Sequence, residues 1–233
     1  LLGALLGTVV EYYDYGLYGF AAEAIRQNFF PHSDPLMGLM WSYGVYAAGY
    51  LAKPLGAYLF GLIGDNLGRR YSLLLTICGM ALPTALIGLT PNFATIGIWA
   101  PIIVVCCRFV QGIFAGAEYD GAVLFIMEHI PKEQKSLGSA LTRATGVSGL
   151  IFANLMVYLF VDPSNPSNIM WRIPFLLSLP LAFLTLYFRR YMQETPEFEK
   201  EKTNIIKQYS FSKIFWAKKS LFLAVVLLYG AIG

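Results

Sequence analysis

Two carboxylates, Glu11 and Asp14, stand three residues apart inside an apolar run, and a helix would put them on one face together with Tyr18. Two acids side by side in a low-dielectric setting cannot both ionise cheaply. Holding one proton between them is the lower-energy state, and that is the behaviour of a proton carrier. Arg108 lies in another apolar run and cannot shed its proton to escape burial, so it requires an anion. Asp14 is the natural partner. Protonating Asp14 would break that pair and release Arg108, coupling a proton to a conformational step; the same pair could equally be a static tie between helices. Gln111 and Glu118, at offsets of three and ten from Arg108, extend its polar stripe. Lys53 precedes Pro54, whose ring is expected to kink the helix. It sits too deep to snorkel, so it faces a cavity, where it either binds an anionic group or holds a carboxylate. Charges inside apolar spans are costly enough to be functional candidates by default. Asp14, Glu11 and Arg108 are thus the candidate proton-coupling set, and Tyr18, Lys53, Arg108, Gln111 and Glu118 the candidate lining of a solute cavity. Arg143, nearer the end of its run, reaches the interface by snorkelling.

The elements that carry these residues are membrane helices. Apolar residues make up 57% of the 233 and charged residues only 13%, where soluble domains hold about a quarter. Lipid must therefore be the solvent for part of the surface. Six segments have the roughly 20 apolar residues that a span needs: 1–25, 37–64, 72–90, 97–128, 137–161 and 171–190, with a seventh beginning near 220. Alternating ten-residue segments of the barrel kind are absent from the sequence. Basic residues concentrate in alternate connectors: Arg69 and Arg70, then Lys132 and Lys135, then Arg189, Arg190 and a run of lysines. Positive-inside logic places these connectors, and the N-terminus, in the cytoplasm. The expected organisation is a six-helix bundle over 1–190, a cytoplasmic linker over 191–219 lying along the inner leaflet, and the start of a truncated helix 7 over 220–233.

At the cytoplasmic end, Asp65, Arg69, Arg70 and Glu128 form a candidate ion-pair gate; a pair of merely solvated loops is the plainer alternative. Gly112 with Gly116, and Gly61 with Gly64, have the spacing of close helix contacts. Cys78, Cys106 and Cys107 read as small buried hydrophobes rather than redox or metal ligands. No nucleophile–base set, metal cluster or phosphate loop is visible, which argues against an enzyme, and a net charge of +3 is too small to suggest nucleic acid.

The stretch Gly61 to Arg70 fits the G-x3-D-x2-G-R-R signature of the major facilitator superfamily, and Arg108, Gly112 and Gly116 fit its R-x3-G-x3-G signature. Glu11-Tyr12-Tyr13-Asp14, Lys53-Pro54-Leu55-Gly56, Trp171-Arg172-Ile173-Pro174-Phe175 and Glu194-Thr195-Pro196 narrow the likeness. Together these motifs cover essentially the whole chain, which resembles the metabolite:proton symporter family, including its proline/glycine-betaine branch. Departures are Tyr12 for Trp, Lys53 for Arg and Ala117 for Gly, and they bear on the substrate.

The resemblance implies an all-α integral membrane protein of the bacterial inner membrane: the N-terminal six-helix bundle of a twelve-helix fold, plus the start of helix 7, paired with a C-terminal six-helix bundle of the same full-length chain. It also implies a helix-1 acid and the helix-4 Arg as the coupling pair, Asp14 and Arg108 here, and a cytoplasmic gate at Asp65, Arg69 and Arg70. The expected activity is proton-coupled import of a small polar solute such as proline or glycine betaine, with no cofactor and the proton as coupling ion. The alternative is an organic-acid:proton symporter for a carboxylate such as 2-oxoglutarate or citrate. A seven-helix receptor is a more distant reading.

Overall fold

In the computed structural model the described residues are 1–31, 34–162, 168–196 and 198–199, and Leu1–Phe198 form one compact unit. Most of the expected linker and all of the expected helix 7 lie outside the described residues. Within them every regular element is a helix. The first span is α1 (Leu2–Phe20) continued by α2 (Ala22–Phe29), with a break at Ala21. The second is α3 (Pro35–Leu67) and the third α4 (Arg69–Leu89). A short α5 (Phe93–Ile96) leads into the fourth span, divided into α6 (Trp99–Ala115) and α7 (Glu118–His129). The fifth is α8 (Lys135–Phe160), and the sixth is α9 (Arg172–Leu176) followed by α10 (Ser178–Arg189). These bounds follow the expected spans closely.

Local chemistry explains several boundaries. Asp34 caps α3 by accepting from the Leu36 amide at 2.9 Å, with Pro35 preset at the first helical position. Gly68 turns α3 into α4 at φ 105°, which L residues rarely adopt, and a Cβ there would also overlap the Glu194 carboxylate. Pro54, expected to kink its helix, does not divide it: α3 runs as one helix through it. The irregular points are Ala21, Gly116–Ala117 and Leu177 instead.

Among the described residues, four helical stretches are long and apolar enough on composition alone to cross a membrane: Arg69–Leu89, Trp99–His129, Lys132–Phe160 and Ile169–Arg189. The first and second spans are absent from that set because they carry Glu11, Asp14, Lys53 and much of the tyrosine, which lower mean hydropathy. Helix α1 packs against α8, α10, α7 and α4, and α3 packs against α6. The α3–α6 contact is backbone to backbone, since a Cβ on Gly112 would run into the Gly49 carbonyl and one on Gly56 into the Ile113 carbonyl. Of the glycines singled out from spacing, Gly112 and Gly116 make such contacts. Gly61 faces open space, and the atoms nearest Gly64 belong to the side chains of Arg69 and Ser72 rather than to a facing backbone. Large apolar side chains such as Leu51, Ile151, Tyr158 and Phe183 are exposed, as a lipid-facing surface requires. Two of the three cysteines, Cys78 and Cys106, also lie on exposed faces; only Cys107 is buried.

Candidate functional site

Helix α1 carries the site. Because it is enclosed by its neighbours, Glu11, Asp14 and Tyr18 are all buried; Glu11 and Tyr18 meet α3, and Asp14 meets α4. Asp14 accepts from the Thr84 hydroxyl of α4 at 2.9 Å. Thr84 in turn accepts from the Gln111 amide, and the Gln111 carbonyl oxygen accepts from Arg108 Nη1 at 3.1 Å. Asp14 and Arg108, expected to pair directly, are instead joined through Thr84 and Gln111. Gln111 is one turn along α6 from Arg108 and faces α4, so it reaches the hydroxyl first. Thr84 was not singled out from the sequence; only the packing of α4 on α1 identifies it.

The guanidinium of Arg108 lies among aromatic rings, 4.4 Å from the Tyr18 ring centroid and 5.0 Å from those of Tyr15 and Tyr46. Such contacts compensate a buried cation electrostatically. Its Nε and Nη2 have no hydrogen-bond partner among the described residues, and neither do Asp14 Oδ1, Glu11 Oε2 or the Tyr15 hydroxyl. Tyr18 donates to the Ser42 carbonyl at 3.4 Å. Lys53 extends from α3 to Glu11, Nζ to Oε1 3.3 Å, and lies over the rings of Tyr15 at 4.2 Å and Tyr50 at 5.2 Å. It therefore holds a carboxylate, one of its two expected roles. Tyr46 and Tyr50, one helical turn apart, share a hydroxyl contact of 3.1 Å. Tyr15, Tyr46 and Tyr50 were missed in the sequence. Their helical spacing, Tyr46-x3-Tyr50-x2-Lys53, is the signal that could have found the last two.

Glu118 departs from its expected place. Its stripe with Arg108 and Gln111 assumed one continuous helix, but the break at Gly116–Ala117 changes the register between α6 and α7. Glu118 instead forms a two-pronged pair with Arg189, one prong at 3.1 Å and the other shorter, and also accepts from the Thr76 hydroxyl. Arg189 further donates to the carbonyls of Gly3, at 3.0 Å, and Leu73. Both side chains are fully buried. Arg189 was expected among the exposed connector charges. The small residues Gly3 and Gly7 on α1 make room for it: a Cβ on Gly7 would overlap both partners of the pair.

At the same end of the bundle, Asp65 pairs with Arg69 at 2.8 Å, and Arg69 Nε approaches Glu128 at 4.0 Å. Arg70 does not join through its guanidinium, which donates instead to the Arg190 carbonyl at 2.8 Å. Glu194 supplies the missing anion: its carboxylate accepts from the backbone amides of Arg69 at 2.9 Å and Arg70 at 3.2 Å, the first amides of α4, where a helix favours negative charge.

The profile of the sugar (and other) transporter family matches residues 1–213. The proline/betaine transporter of Salmonella typhimurium is 37% identical over 202 residues, covering 85% of this chain and 40% of that protein. The shikimate transporter of Escherichia coli is 39% identical over 205 residues, covering 86% and 47%. Among solved structures, the proton:xylose symporter XylE from E. coli, of the major facilitator superfamily, superimposes with a TM-score of 0.77 at 18% identity, covering 86% of this chain and 46% of that one. The chain thus spans less than half the length of these relatives.

Proposed function

The chain belongs to the sugar (and other) transporter family of the major facilitator superfamily, and from that premise we propose that it forms the N-terminal six-helix bundle, over 1–190, of a proton-coupled symporter importing a small polar solute by alternating access. The observation that carries this reading is the buried chain Asp14–Thr84–Gln111–Arg108, which links an acid of α1 to a cation of α6 across α4. An ionised Asp14 accepts from Thr84, which leaves the Thr84 oxygen to accept from Gln111 and so directs the Gln111 carbonyl oxygen toward Arg108. A protonated Asp14 no longer draws the Thr84 hydroxyl, which can turn its proton to the Met80 carbonyl at 2.9 Å, so the relay to Arg108 loses its anion and its hold loosens. Glu11, tied to Lys53, is the neighbouring acid whose charge responds to the same proton. On this side the solute meets Lys53, which is partly open, with Tyr18, Arg108 and Gln111 buried behind it, and on the other the C-terminal bundle of the full-length chain. Glu118 has no part in that lining. Asp65, Arg69, Arg70 and Glu128, joined by Glu194, form the cytoplasmic gate, and the N-terminus lies in the cytoplasm of a bacterial cell.

The leading solute is a zwitterion such as proline or glycine betaine, as in the relatives named for them. The unpartnered Nε and Nη2 of Arg108 and the shikimate-transporting relative favour an organic acid as the second reading. The test is uptake into proteoliposomes by the full-length protein carrying Asp14→Asn. Accumulation driven by a pH gradient should fall at least tenfold while solute exchange without a gradient persists. Undiminished gradient-driven accumulation would falsify the coupling role.

A further inference from the structure

The ammonium of Lys53 occupies a small, built site. It has one carboxylate oxygen of Glu11 at 3.3 Å and the faces of Tyr15 and Tyr50 at 4.2 and 5.2 Å. A carboxylate flanked by aromatic faces is the recognition chemistry for alkylammonium groups in general. The site also offers more than Lys53 uses, since the second oxygen of Glu11 and the Tyr15 hydroxyl are buried with no hydrogen-bond partner among the described residues. Two properties distinguish this cation from Arg108 beside it. Arg108 is sealed at 1% exposure, whereas the Lys53 side chain is 31% exposed and Tyr50 is exposed as well. Lys53 is also carried on a long flexible stem that can withdraw without unpacking α3.

We propose that Glu11, Tyr15 and Tyr50 are the seat for the ammonium group of a zwitterionic solute, and that Lys53 fills this seat in cis until the solute displaces it. The exchange conserves charge pairing. The solute ammonium takes over Glu11 and the two rings, and the released Lys53 takes the solute carboxylate, so no buried charge is left alone. An organic acid without an ammonium group has nothing to offer Glu11 and does not drive the exchange. The proposal rests on this face being the solute-facing one, and it chooses between the two solute classes named above.

The test is made on the full-length protein in detergent, without any gradient, so that a failure of proton coupling and a failure of the seat are told apart. The N,N-dimethylpyrrolidinium cation (pyrrolidinium below), an ammonium with neither a carboxylate nor an acylable nitrogen, should release Lys53 and raise its acylation by an amine-reactive reagent severalfold, as read by mass spectrometry. Shikimate, a carboxylate without an ammonium, should not. Independently, Lys53→Met should bind pyrrolidinium on the order of tenfold more tightly than the native protein, the scale of a desolvated cation–π contact, and Tyr50→Leu in that background should remove the gain. Lys53 acylation unchanged by pyrrolidinium, or raised equally by shikimate, overturns the proposal. So does a Lys53→Met protein that binds no more tightly. The acylation result stands on the native protein and does not depend on any variant folding.

Discussion

The two buried acid–base pairs that α1 passes on its way through the bundle are built to opposite standards. The Glu118–Arg189 pair is two-pronged, has both side chains fully buried and is completed by Thr76 and the carbonyls of Gly3 and Leu73. One turn further along α1, the Glu11–Lys53 pair rests on a single contact of 3.3 Å, leaves one carboxylate oxygen unpartnered and keeps Lys53 partly exposed. A buried pair with every hydrogen bond satisfied has no reason to move, and removing either partner strands a charge. A pair with unmet valences and an open side is where a ligand or a proton can act. The first therefore pins α1, α4, α7 and α10 together, while the second and its neighbour Asp14 are left able to change.

The contrast is most exposed to failure at Arg189. Arg189→Met should destabilise the purified protein by about 3–5 kcal/mol, since Glu118 is then buried without compensation; adding Glu118→Leu should recover most of that loss. Thermal unfolding in detergent measures both, and a single variant that melts with the native protein would remove the pin. Lys53→Met should cost less, about 1–2 kcal/mol, because only Glu11 of this pair is buried and a single 3.3 Å contact is lost. If it destabilised as much as Arg189→Met, the two pairs would be alike and the distinction between fixed and exchangeable would collapse. The smallest change in stability belongs to Arg69→Ala. Its partner Asp65 is largely exposed, so the loss should be within about 1 kcal/mol, and the Glu194 contacts to backbone amides survive the substitution. Transport should nonetheless be impaired as the cytoplasmic closure loosens. Cysteines placed at that end whose accessibility does not change would count against a gate there.

Span positions were legible to within a few residues because burial in lipid demands long apolar runs, and such runs leave little freedom in where a helix starts. The glycine signatures of α6 were legible for a similar reason: close helix approach needs small residues at fixed offsets. Charge placement was less legible. Asp14, Glu11 and Arg108 were found because a charge in an apolar run stands out, yet their partners did not. Thr84 is an unremarkable hydroxyl in an apolar helix. Arg189 sits beside Arg190 at a helix end, where both look like interfacial anchors.

What the sequence by itself determined is the class of solvent, the positions of the spans among the described residues, and the burial of Glu11, Asp14 and Arg108 in them. Each of these follows from local cost, the free energy of putting a given residue in hydrocarbon, and local cost is written residue by residue. Only the tertiary structure decided who pairs with whom: Asp14 with Thr84 rather than Arg108, Glu118 with Arg189 rather than the cavity, Lys53 with Glu11 and two tyrosines. Those choices depend on the rotation of each helix about its axis and on the breaks at Ala21, Gly116–Ala117 and Leu177, which reset that rotation partway along. Rotation is settled by packing between helices distant in sequence, and no single helix encodes it.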